Sequence, residues 1–153
     1  MGLAVLLLAA CSPDPQDPEQ QIRQLIESVE LAIEQGELGD AAQWLDEGYS
    51  DRRHRNKRAA VASLFAYTRR HKNIHLFTRI HQIEVAPDAS RAVALVDVAM
   101  TATPVHSAEE LLDLRADLYR FDLKLAWDDD QEQWRIRSSQ WRRSALGGLM
   151  SGG

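Results

Sequence analysis

Apolar residues recur along this chain with two periods, and the change from one to the other divides it. Between residues 18 and 36, Ile22, Leu25, Ile26, Val29, Ala32 and Ile33 follow i, i+3, i+4, i+7 spacing, the stripe of an amphipathic helix. Pro18 suits its first turn, Glu19 favours its positive end and Gly36 closes it. A shorter helix, "AAQWLDEG", follows, with Asp40 placed to cap it and Trp44 and Leu45 turned inward. A third, from about Asn56 to His71, presents Ala60, Val61, Leu64, Phe65 and Thr68 on one face.

After residue 72 the period falls to two. "NIHLFTRIHQIEV" (73–85) ends at the turn "APDAS". "RAVALVDVAMTA" (91–102) then places Ala92, Ala94, Val96, Val98 and Met100 on one face. "RADLYRFDLKLAW" (115–127) alternates most cleanly, with Tyr119, Phe121, Leu123, Leu125 and Trp127 inward and Arg120, Asp122 and Lys124 outward. "DDDQE" turns the chain back into "QWRIRSSQWRR" (133–143), with Trp134 and Ile136 inward. Ser107 and Glu110 form a capping-box pattern ahead of Leu111 and Leu112, so a helical turn is expected in the long connection between the second and third strands. The pattern predicts an α+β fold: three N-terminal helices packed on one face of a curved four-stranded antiparallel sheet.

This element order, with the helix "RAAVASLFAYTRRH" feeding the strand "IHLFTRIHQIEV", resembles the nuclear transport factor 2-like (cystatin-like) superfamily over residues 18–143. The superfamily includes ketosteroid isomerases, polyketide cyclases and many bacterial lipoproteins. The resemblance implies a cone with a pocket between sheet and helices, and an open sheet face suited to a homodimer.

Residues 1–17 carry an address. Leu3 to Ala10 are apolar throughout, too short a run for a retained bilayer-spanning helix but right for the hydrophobic core of a secretory signal. Leu8-Ala9-Ala10-Cys11 resembles the lipobox of bacterial lipoproteins. The resemblance implies a signal peptide at 1–10 and, after cleavage, three acyl chains on Cys11, enough for stable membrane anchoring. Residues 11–17 are then the lipidated Cys and a tether, whose prolines hold the domain about 20 Å from the membrane. Ser12, standing where an Asp would retain the protein at the inner membrane, favours the outer membrane, with the domain facing the periplasm of the cell envelope. The tail 144–153, "SALGGLMSGG", reads as flexible.

Charge divides differently. Up to Asp51 there are eleven acidic residues and one Arg, whereas from Arg52 onward seventeen Lys and Arg exceed twelve acidic residues. The densest basic run is "RRHRNKR", with Arg52, Arg53, Arg55, Lys57 and Arg58 in seven residues, and "RRHK" (69–72) adds to it. Behind a lipobox, nucleic acid is excluded as partner, which leaves an anionic envelope component or an acidic protein face; the run can equally balance the acidic helices of its own chain.

Little catalytic chemistry is legible. The lone Cys11 excludes an internal disulfide and, if lipidated, is no nucleophile. No Gly-x-Ser-x-Gly motif or phosphate-cradling glycine loop occurs. His71 and His75 are spaced as H-x3-H but fall on a helix end and a strand, and His81 adds only an alternating position, so no metal or cofactor is expected. The resembled isomerases set an Asp base and a Tyr or Asp donor inside the cone. Asp117 and Tyr119, two residues apart on one strand face, are the pair available for that role. The expectation is a membrane-anchored envelope lipoprotein with a non-catalytic binding domain, for a protein partner, its own twin or a small ligand in the cone. The alternative is an isomerase- or cyclase-like enzyme using Asp117 and Tyr119.

Overall fold

The computed structural model describes residues 17–114, 116–145, 147 and 149. The segments expected to be a signal peptide and a tether, with Cys11 and Ser12, lie outside the described residues up to residue 16. The chain runs α1 (Pro18–Gln35), α2 (Leu38–Gln43), α3 (Lys57–Arg70), β1 (His75–Val85), β2 (Arg91–Thr101), a 3-10 helix (Glu109–Asp113), β3 (Asp117–Asp128) and β4 (Gln133–Arg143). The strands form one antiparallel sheet in the order β1-β2-β3-β4. The expected α+β architecture of helices packed on a four-stranded sheet is the one observed.

Local chemistry accounts for the helix ends. The Asp17 carboxylate accepts from the Glu19 N–H and Pro18 occupies the first turn of α1. Gly36 takes the left-handed φ of 75° there, and the N–H of Glu37 returns to the Ala32 carbonyl. The Asn56 side chain caps α3 by accepting from the Ala59 N–H at 2.9 Å. α2 begins at Leu38, two residues before the expected cap Asp40, and Trp44 is its C-terminal cap.

Ile22, Leu25 and Ile26 of α1 pack on Ala92, Ala94, Val96, Leu123, Leu125, Trp134 and Ile136, closing one end of the cone. Two β-bulges bend the sheet around them, one between Ile80 and Gln82 on β1 and one opposite the Lys124–Leu125 step on β4. Each also shifts the side-chain phase by one residue. Trp134 and Ile136 face inward before the second bulge and Ser139 and Trp141 after it, where strict alternation would turn Trp141 outward.

α3 departs from expectation. Among its described residues none is buried, and Phe65, predicted on the buried face, is 52 % exposed. The helix roofs a cavity, and Ala60, Val61, Leu64 and Tyr67 supply its lining. On the outer sheet face, Ala99, Leu111 and Leu149 form a second, smaller core with Phe77, Val105, Ala116 and Leu118. The tail expected to be flexible therefore contributes a buried residue, and the Arg79 guanidinium donates to the Leu149 carbonyl.

Candidate functional site

A cavity of about 610 Å³ lies between α1, α3 and the open half of the sheet. Its floor is the inward face of β2 and β3, where Val98, Met100, Tyr119 and Phe121 continue the rows that are fully packed at the closed end. Tyr119, Phe121 and Trp141 form an aromatic wall, with Tyr119 and Trp141 edge-to-face at 5.3 Å between centroids. The volume falls within the range of small-molecule sites, and the lining is apolar except for a few side chains.

Those polar groups cluster where the α2–α3 connection meets β4. The backbone there is pinned to the strand: the Ile136 N–H donates to the Trp44 carbonyl, the Asp46 N–H to the Ile136 carbonyl, and the Ser50 N–H to the Arg137 carbonyl. This brings Tyr49 into the core at 5 % exposure and leaves Asp51 facing the cavity. The Asp51 carboxylate accepts from the Tyr49 hydroxyl at 2.7 Å and from the backbone N–H groups of Arg53 and His54. It also meets His54 Nδ1 at 2.8 Å, while His54 Nε2 stands 2.9 Å from Ser63 Oγ on α3. With the carboxylate on Nδ1, that nitrogen carries the proton and Nε2 is the acceptor on the Ser63 side.

Burial alone would raise the Asp51 carboxyl, but the hydrogen bonds from His54, Tyr49 and the two backbone groups outweigh it and hold it down at about 2. Burial, reinforced by the Asp51 carboxylate, pushes the Tyr49 hydroxyl up. The other flank, beside β1, carries Glu30, whose carboxyl is raised by burial against a hydrogen bond to Thr78, with Glu34 and Glu27 adding repulsion.

The residues predicted from sequence are distributed around this site. Tyr119 lines the cavity, whereas Asp117 is exposed at its rim, 3.8 Å from Arg143. The basic run divides. Arg53 lies over the Trp141 ring at 3.8 Å and lines the cavity, Lys57 pairs with Glu47 at 2.6 Å, and Arg52, Arg55 and Arg58 are exposed. His71 stacks on Tyr67, His75 faces Glu34, and His81 meets the buried Asp97 on the outer sheet face. Among the described residues no group of three or more His, Cys, Asp and Glu is arranged to hold a metal ion, and no helix is long and apolar enough to cross a membrane.

Sequence reasoning missed Asp51, His54 and Ser63. The one signal present, an Asp three residues before a His, is also a common turn pattern and sat inside the louder run of Arg and Lys.

No family model matches the chain, and neither does any curated protein. Solved structures do. A scytalone dehydratase candidate of Novosphingobium aromaticivorans superposes with a TM-score of 0.65 at 11 % identity, over 83 % of this chain and 84 % of its own. A nuclear transport factor 2-like protein of unknown function from Pseudomonas putida gives 0.60 at 16 %, over 80 % and 84 %. Bd1075 of Bdellovibrio bacteriovorus gives 0.61 at 12 % over 82 % of this chain, which spans only 40 % of that longer protein. At these identities the likeness is one of fold, and the fold is the nuclear transport factor 2-like, cystatin-like cone.

Proposed function

We propose that the domain binds a small, largely apolar molecule inside the cone, and that it does so from a lipid anchor at Cys11. The observation that carries the binding reading is the cavity of about 610 Å³, walled by Tyr119, Phe121 and Trp141. A domain of this size has ample length to fill its core, yet the inward rows of β2 and β3 stop packing against helices halfway along. The pattern Leu8-Ala9-Ala10-Cys11 supports the anchor. Val98→Trp, which projects a large ring into the cavity, should abolish uptake of a neutral apolar dye such as Nile red while the chain stays folded. Undiminished uptake by that variant would overturn the cavity reading. The anchor has its own test, because Cys11→Ser should move the protein to the soluble fraction or leave it with its signal uncut. Membrane association and processing equal to wild type would refute it.

A second reading has one specific observation in its favour, the chain Asp51–His54–Ser63 on the cavity wall. Asp51 orients the imidazole, so that Nε2 can take a proton from a bound molecule and return it. The order carboxylate, imidazole, hydroxyl is that of a hydrolytic triad. Ser63, however, lies in the second turn of α3, where backbone N–H groups serve the helix, so no free pair stands beside its Oγ to hold an oxyanion. Proton transfer, as in isomerisation or elimination, suits the arrangement better than acyl transfer, and the likeness to a scytalone dehydratase candidate agrees with that class. His54→Gln should then abolish turnover of a bound substrate without abolishing binding; equal loss of both would make His54 a binding residue only.

A further inference from the structure

A second hollow of about 410 Å³ adjoins the cavity at the C-terminal end of α3, and the two share Tyr67 and Met100 as lining. They differ in chemistry. The cavity is apolar and aromatic, whereas the hollow is walled by Arg70, His71, Lys72, Thr101 and Asp117. Asp117, the one acid among the hollow's described lining, faces Arg143 at 3.8 Å. Arg70 and Lys72 have no ion-pair partner among the described residues, so the hollow carries uncompensated positive charge. Their place on the chain has a local reason, since cations at the last turn of a helix offset its negative end.

The two compartments are joined along one helix face. Ser63, Tyr67 and Arg70 fall at i, i+4 and i+7 on α3, so Arg70 lies two turns, or about 10 Å, beyond the hydroxyl that meets His54. Tyr67, held by stacking on His71 at 4.3 Å between ring centroids, stands at the junction. Its hydroxyl is raised by burial and by the neighbouring Asp117 and Tyr119, and so stays a hydrogen-bond donor at neutral pH.

We infer that the molecule taken up by the cone is an anionic amphiphile, a carboxylate on an apolar body, with its head in the basic hollow against Arg70 and Lys72 and its body against Phe121 and Trp141. This rests on the cavity-binding reading above and adds the head group to it. The apolar wall gains from the buried body, and the cations, exposed at the hollow, supply charge-assisted hydrogen bonds to the head that salt can screen. A cationic head would meet repulsion at the same place.

The test is calorimetric titration of the full-length Cys11→Ser chain with three ligands of one chain length: decanoate, decanol and decyltrimethylammonium. Decanoate should bind about tenfold more tightly than decanol, and the ammonium weakest. The preference should shrink as salt rises. The double variant Arg70→Gln/Lys72→Gln should bring decanoate down to the level of decanol and leave decanol unchanged. Lys72→Glu provides a second variant, expected to invert the preference for carboxylate over ammonium. Equal binding of decanoate and decanol by the wild type overturns the head-group inference and leaves the cavity reading standing. Decanoate binding that survives both variants also overturns it. No binding of any of the three defeats the cavity reading, and the inference with it.

Discussion

Phe121 and Leu125 lie on the same inward face of β3, four residues apart, and truncating each should separate the closed end of the cone from the open one. Leu125 is 2 % exposed and enclosed by the α1 side chains and the neighbouring strands. Leu125→Ala removes a buried side chain from a site that cannot collapse, and comparable core truncations cost about 2–5 kcal/mol. A fully packed Phe would cost about 3–5 kcal/mol by the same reasoning. Phe121, however, has the cavity on one side. Its ring meets Tyr119 at 6.5 Å and Trp141 at 6.4 Å between centroids, and the remaining face has few atoms to lose. With roughly half the packing of a core Phe, Phe121→Ala should cost about 2 kcal/mol, less than Leu125→Ala, and it should enlarge the cavity instead of creating a new one. Urea denaturation at equal slope measures both. If Phe121→Ala proves the more destabilising, the cavity is filled by packing in solution and the division of the sheet into closed and open halves is false.

Three further outcomes follow from the same geometry. Asp51, held below its ordinary range, stabilises the fold above about pH 4 and loses that contribution as pH falls toward 2; Asp51→Asn should therefore cost about 1–2 kcal/mol at neutral pH and almost nothing at pH 2, and a difference independent of pH in parallel urea titrations would refute the assignment. Replacing Asn56 by Ala should remove the α3 cap and about 1 kcal/mol, lowering the melting temperature by a few degrees, and an unchanged melt would mean that the Asn56 bond to the Ala59 N–H contributes nothing. Within the basic run, Arg52→Gln, Arg55→Gln and Arg58→Gln should leave the melting temperature unchanged but weaken binding to anionic vesicles in a salt-dependent way, whereas Arg53→Gln should lose the stacking on Trp141, worth about 0.5–1 kcal/mol; thermal melts and vesicle sedimentation of the four single variants decide whether the run divides this way.

The fold was legible because each element declares its own period. α1 repeats its apolar residues with a cap at each end, and β3 alternates without interruption, so existence, type and facing follow from local chemistry. A period, however, says which residues share a face and nothing about what stands opposite. α3 carries an apolar stripe like that of α1, and the natural inference buried Phe65 with it; in the fold Ala60, Val61 and Leu64 of that stripe line the cavity and Phe65 lies outside. Bulges are illegible for a related reason. One extra residue at β4 reverses the facing of everything after it, so Trp141 enters the aromatic wall although its place in the alternation argues the reverse.

The candidate site was hidden by composition as well. Three chain segments meet at it: the turn that presents Asp51 and His54, the helix that carries Ser63, and the strand that pins the turn. Only the first is local, and it was masked because five of its neighbours are Arg or Lys whose charge is the stronger signal. The pair matters only through the cavity beside it, and the cavity exists because two rows of strand residues run on past the part that α1 packs closely, leaving Val29, Glu30 and Ile33 of α1 as lining. That overhang depends on relative lengths and on sheet curvature, which no single element contains. A fold of this kind can therefore be read from its parts, while its chemistry is set by the gap that those parts leave.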